Sequence, residues 1–327
     1  MQTLPFSYET VRTHAEGGTA MNPASHLGVY LQCPRCKTGM DSLGCSECAF
    51  LMEIHDGIVH ALRPERVAYY AQFIAEYEWI RAAEGRGSQS EDFYLALPYQ
   101  DLSGRNSQQW KIRSKSYDYL ATRVLNSLHD RGPVLDLGAG NCWMSFRLSL
   151  LGYDSVAVDL LINEHDGLGA AAHFDTRLPI PIPRFQAEAT RLPFRDEQFE
   201  AIIFNASFHY SEDYEATLRE ALRCLKPAGM LIISDTPWYS REESGRRMVA
   251  ERQAAFRQRF GTASDSVNSL EYLTDERLRT LEEKLSIKWT VHSPWYGWRW
   301  AMRPWIAKLR GRREPSRFRI YVARKHA

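Results

Sequence analysis

The stretch "VLDLGAGNCW", residues 134–143, decides how the chain is read. Val134, Leu135 and Leu137 make a short apolar run that ends in Gly138-Ala139-Gly140, and a helical pattern follows. Strand, glycine turn and helix in that order open a doubly wound α/β sheet. A dinucleotide-binding turn would carry a third glycine three residues after the second, where strand and helix pack closely beneath a pyrophosphate. Trp143 stands there instead. The glycines therefore serve the close approach of a ligand that lays no pyrophosphate on the helix start.

Working outward from this turn, apolar runs alternate with helical stretches from residue 133 onward. Strands are expected at "PVLDL", "SVAVDL", "RFQAE", "EAIIFN", "GMLIISD", "SIKWTVH" and "RFRIYVA". This predicts an α/β fold with a Rossmann-like, seven-stranded, mostly parallel sheet, plus a small N-terminal zinc ribbon. Ligands of such sheets bind at the carboxyl ends of the strands. Asp136, Asp159 and Glu188 fall at or just beyond three such ends.

The ribbon is read from "CPRCKTGMDSLGCSEC". Cys33 and Cys36, then Cys45 and Cys48, are two C-x-x-C pairs a short hairpin apart, which suits four thiolates around one zinc ion. Four cysteines leave no open position, so the metal is expected to be structural. "EIHDGIVHAL" adds a hairpin with its turn at Asp56-Gly57. Together, residues 30–63 resemble the small zinc-ribbon activator subunit that partners tRNA and rRNA methyltransferases.

A second resemblance rests on ordered motifs. "VLDLGAG", "VAVDL", "EATRLPFRDEQFEAIIFNASFHY" and "LREALRCLKPAGMLIISD" resemble a class I S-adenosylmethionine-dependent methyltransferase, with the ubiquinone and menaquinone C-methyltransferases nearest in pattern. The resemblance implies S-adenosylmethionine as cofactor. It assigns the binding loop to Gly138, Ala139, Gly140 and Asn141, with Asp136 orienting the loop and attracting the ammonium group. Asp159, followed by Leu160, would accept the ribose hydroxyls. Glu188 would take the adenine amine, with the Ala189 backbone beside it. Asn205 would face the methyl group, and His209 or Tyr210 would help as a base.

The remaining segments are less specific. Residues 64–115 form a connecting region whose first part carries Val67, Tyr70, Phe73, Ile74, Tyr77 and Ile80 at near-helical spacing, expected to be core. Tyr94, Tyr99 and Trp110 follow in an aromatic, polar stretch and fit either packing or ligand binding. The methyltransferase domain is expected over 116–327, with a basic, tryptophan-rich insert at about 293–316. That insert could cap a substrate pocket, grip an anionic substrate or RNA through arginine, or rest on a membrane surface. Its Trp295, Tyr296 and Trp298, with Tyr94, are expected to close over a small-molecule pocket.

Whole-chain balance narrows the classes. Lysine and arginine number 41 against 40 aspartates and glutamates, a net charge of +1 over 327 residues, so no global field favours nucleic acid. No apolar run reaches the roughly eighteen residues of a membrane span. The first 29 residues read as a tail without a basic cluster or apolar core, and six cysteines are too few for a disulfide scaffold. The chain is expected to be cytoplasmic and to act on a small molecule. RNA methylation, or cofactor binding without turnover, remain the alternatives, and nothing indicates an oligomeric state.

Overall fold

The computed structural model describes residues 21–128 and 131–326. Most of the N-terminal tail, and with it the reading of the first residues as leaderless, lies outside the described residues. Two short strands, β1 (Leu31–Gln32) and β2 (Gly39–Met40), pair antiparallel beside the cysteines. The others are β3 (Glu53–His55), β4 (Ile58–His60), β5 (Pro133–Leu137), β6 (Asp154–Asp159), β7 (Arg184–Gln186), β8 (Phe199–Asn205), β9 (Leu225–Ser234), β10 (Thr290–His292) and β11 (Ile320–Arg324). These form one nine-stranded sheet in the order β10-β11-β9-β8-β5-β6-β7-β4-β3.

The seven strands read from the sequence are all present, and among them only β11 runs against its neighbours. The ribbon hairpin supplies the other two. Strand β4 pairs parallel with β7, Val59 opposite Phe185, and β3 closes the edge antiparallel to β4. All five residues of β5 are buried, Asp136 among them, as a strand at the middle of a sheet covered on both faces is. Alternate residues feed opposite faces: Leu135, Val156, Ile202 and Leu231 join one core, while Val134, Ala157, Ala201 and Met230 join the other. Leu31, Met40, Phe50 and Met52 of the ribbon belong to the first of these cores, so ribbon and sheet share apolar packing.

The helices are α1 (Pro64–Ala83), α2 (Glu91–Ala96), α3 (Ser107–Tyr119), α4 (Trp143–Leu150), α5 (Ala172–Asp175), α6 (Tyr214–Cys224), α7 (Glu242–Phe260), α8 (Asp275–Leu285), α9 (Trp298–Ala301) and α10 (Arg303–Leu309). Side-chain caps fix two of their starts. Asp213 accepts from Ala216 N at 3.0 Å, and Thr274 accepts from Arg277 N at 3.2 Å. Among the described residues, no helix is long and apolar enough to cross a membrane.

Candidate active site

The carboxyl ends of β5, β6 and β8 open into a cavity of about 660 Å³. The turn after β5 shapes one wall. Gly138 has φ +81°, and a Cβ there would come within 2.2 Å of the Ser207 Cβ, so no other residue fits. Asp159, ending β6, accepts from Gly140 N at 2.7 Å and from Leu161 N at 2.9 Å. Its carboxylate thus ties the glycine turn to the second strand while facing the cavity. Asp136 is buried beneath the turn, where one oxygen accepts from Ser145 N and Oγ. Its other oxygen is buried without a partner, and burial lifts its pKa to about 7.

Ala139, Asn141, Leu160, Ala189 and Asn205 also line the cavity, Asn205 from the end of β8. Glu188 does not. Its carboxylate turns to Arg66 Nε at 2.7 Å and Arg63 Nη2 at 3.2 Å, so an adenine amine there would meet the backbone between Ala187 and Ala189 rather than this side chain. A carboxylate desolvated to 5% exposure needs those cations, which corrects the expectation drawn from its position.

Residues 135–233 match a family model described as a methyltransferase domain. The chain is 33% identical over 115 residues to demethylmenaquinone methyltransferase of Mycolicibacterium vanbaalenii, covering 35% of this chain and 46% of that protein. It is 31% identical over the same length to the protein of that name from Mycobacterium marinum. The chain thus spans less than half the length of these relatives. Among solved structures, a Thermotoga maritima SAM-dependent methyltransferase aligns at 16% identity and TM-score 0.44, covering 79% of this chain and 99% of that one. A complex of the Haloferax volcanii Trm112 methyltransferase activator with a methyltransferase aligns at 15% identity and TM-score 0.46, covering 73% and 100%.

Beyond the glycine turn, the cavity widens into a chamber that the sequence did not reveal. Tyr70 and Phe73 of α1 pack with Leu62 and Val267 in a small core, as expected, and with Tyr77 they also line the chamber. The signal was available in the choice of aromatic over aliphatic residues at those positions. Trp300 and Phe318 close the far side, stacked with centroids 5.5 Å apart. The four aromatics expected to close the pocket do not line it. Tyr94 is fully buried, its hydroxyl within hydrogen-bond reach of both Ser88 O and His165 O, and Tyr296 hydrogen-bonds Ser116 Oγ at 2.8 Å. Trp295 and Trp298 are exposed. Trp110 packs edge-on against Trp143 at 5.8 Å, and Tyr99 is exposed.

His209 and Tyr210 reach the chamber from the loop after β8. His209 Nδ1 is buried without a hydrogen-bond partner, and desolvation, reinforced by Arg113 and Arg252, depresses its pKa to about 3. Tyr210 meets Tyr77 edge-on at 5.4 Å. Asp235, just past β9, accepts from Ser116 Oγ, and burial raises its pKa to about 6. Arg113 faces the same space with no acid within ion-pair reach among the described residues, although Arg81 and Arg86 beside it pair with Asp166 and Glu84. Burial among these cations lowers the Arg113 pKa to about 10.

The four cysteines converge as their spacing predicts. Their sulfurs lie within 4.8 Å of one another, with Cys33–Cys48 at 3.5 Å and Cys36–Cys45 at 3.4 Å. Four sulfurs about 2.3 Å from a tetrahedral zinc would sit about 3.8 Å apart, so the donor set fits that ion. His55 and His60 stand on the hairpin outside this cluster.

Proposed function

We propose that the chain methylates a compact, partly aromatic organic acceptor carrying an acidic group, using S-adenosylmethionine. The observation that carries this is the continuity of the cavity, from the Gly138–Gly140 turn and Asp159 to an aromatic chamber holding an unpaired arginine. Bound at the turn, the cofactor supplies an electrophilic methyl group. Asp159 would accept from the ribose hydroxyls, Asp136 would attract the ammonium group, and the Gly138-to-Asn141 backbone would hold the amino-acid part. Asn205 stands where strand β8 meets the chamber.

On the acceptor side, α1 and Trp300 exclude water and sandwich a flat molecule. Arg113 holds its acidic group. His209 stays neutral at physiological pH and offers Nδ1 as a hydrogen-bond partner. A ring this acidic when protonated is a weak base at pH 7, so positioning carries most of the rate. Zinc on Cys33, Cys36, Cys45 and Cys48 holds the ribbon together and takes no part in transfer. Arg299, Arg303, Arg310, Arg312 and Arg313 stay out of the cavity, which speaks for a small acceptor over RNA.

Calorimetry with S-adenosylhomocysteine, followed by labelled-methyl transfer into cell extract split by RNase treatment, tests this reading. Label is expected in the RNase-resistant small-molecule fraction. Label lost with RNA, or no binding of S-adenosylhomocysteine, would overturn it.

A further inference from the structure

Helices α9 and α10 turn their apolar side to water. Met302 N donates to Trp298 O at 2.9 Å and Ile306 N to Met302 O at 3.1 Å, so the two run as one nearly continuous helix. Its inner side is spoken for: the Arg303 guanidinium lies 3.8 Å from the Trp300 ring centroid, and Trp300 stacks on Phe318. Its outer side carries Trp298, Met302, Trp305 and Leu309, at spacings of four, three and four residues. Their exposures are 78, 49, 69 and 87%. Trp295 meets Trp298 edge-on at 5.0 Å and extends the stripe. A helix on the surface of a globular chain ordinarily buries such a stripe.

Charge says what covers it. From residue 293 to 313 the sequence has no acid. Arg313 pairs with Glu251, but Arg299, Lys308, Arg310 and Arg312 are exposed and have no acidic partner among the described residues. Tryptophans and aliphatics flanked by unpaired cations match the two layers of an anionic bilayer surface, the acyl boundary and the headgroups. A nucleic acid would engage the cations and leave Leu309 and Trp305 in water. We propose that residues 295–312 seat the protein on an anionic lipid surface, Trp298 of the stripe lying on the same short helix as Trp300, which lines the chamber.

Cosedimentation of the full chain with vesicles tests this. Binding is expected to vesicles of equal phosphatidylcholine and phosphatidylglycerol, and much less to phosphatidylcholine alone. The triple variant Trp298→Ser, Trp305→Ser, Leu309→Ser should lose about tenfold or more in partitioning. So should the variant Arg299→Gln, Lys308→Gln, Arg310→Gln, Arg312→Gln. Both should keep their affinity for S-adenosylhomocysteine, which checks the fold independently of the surface. Three outcomes overturn the proposal: wild-type protein that stays in the supernatant, an apolar variant that binds like wild type, or tighter binding to a short mixed-sequence RNA than to the anionic vesicles.

Discussion

Three charged residues set the behaviour of the cavity, each through a different physical effect. Asp159 holds the turn and faces the ligand, so Asp159→Ala should weaken S-adenosylhomocysteine binding by at least about tenfold, or about 1.4 kcal/mol, in calorimetry. Unchanged affinity would remove it from the site. Asp136 keeps its proton up to about pH 7, whereas in the unfolded chain it would ionise near its ordinary 3.8. Any stability gained from that retained proton is therefore full below the unfolded value and is lost as pH rises through about 7. Cofactor binding runs the other way: the ammonium group gains an anionic neighbour above that pH. Affinity for S-adenosylhomocysteine should rise through pH 7, and Asp136→Asn should flatten the profile. On the proposed reading, Arg113 would make its charge-assisted contact with the acceptor rather than with the cofactor. Arg113→Gln should raise the KM for the acceptor by about tenfold while calorimetry finds S-adenosylhomocysteine affinity nearly unchanged; a parallel loss of both would make the residue structural.

Among the elements, periodicity foretold what each would be better than what each would face. The glycine turn, the seven strands and the four cysteines were legible because each imposes a local constraint: a positive φ, an unbroken apolar run, a ligand spacing. Helix α1 was equally legible as a helix, yet its aromatic stripe reads the same whether it meets another side chain or an empty chamber. Glu188 shows the same limit, since Arg63 and Arg66, 125 and 122 residues earlier, decide its role through contacts no local pattern displays. The insert defeated the reading in the opposite sense, its spaced tryptophans facing out where amphipathic logic points them in. For the ribbon, the prediction is direct. Purified protein should hold one zinc ion per chain by elemental analysis, and Cys45→Ser should lower thermal stability with little change in S-adenosylhomocysteine affinity.

At the scale of the whole molecule, the ribbon and the sheet share both backbone and core. Besides the pairing of β4 with β7, Arg195 N donates to Tyr30 O at 3.0 Å and Gln32 N to Pro193 O at 3.0 Å. We therefore expect calorimetric unfolding in a single transition that moves several degrees lower on zinc chelation. A separate ribbon transition would show that the two fold apart. Sequence gave the hairpin its strands but not its neighbour, because a parallel partner more than a hundred residues away leaves no local trace. The same arrangement bears on how the molecule keeps to itself. A parallel sheet that stopped at β7 would present the open backbone of a buried, phenylalanine-bearing strand, a template for pairing with another copy. Here the row ends instead in β3, three exposed residues long, with Glu53 and His55 joined by a hydrogen bond at 3.0 Å. A segment marked out by its cluster of four cysteines thus also blunts the sheet, and a shortened chain beginning after residue 63 would be expected to clump rather than stay dispersed.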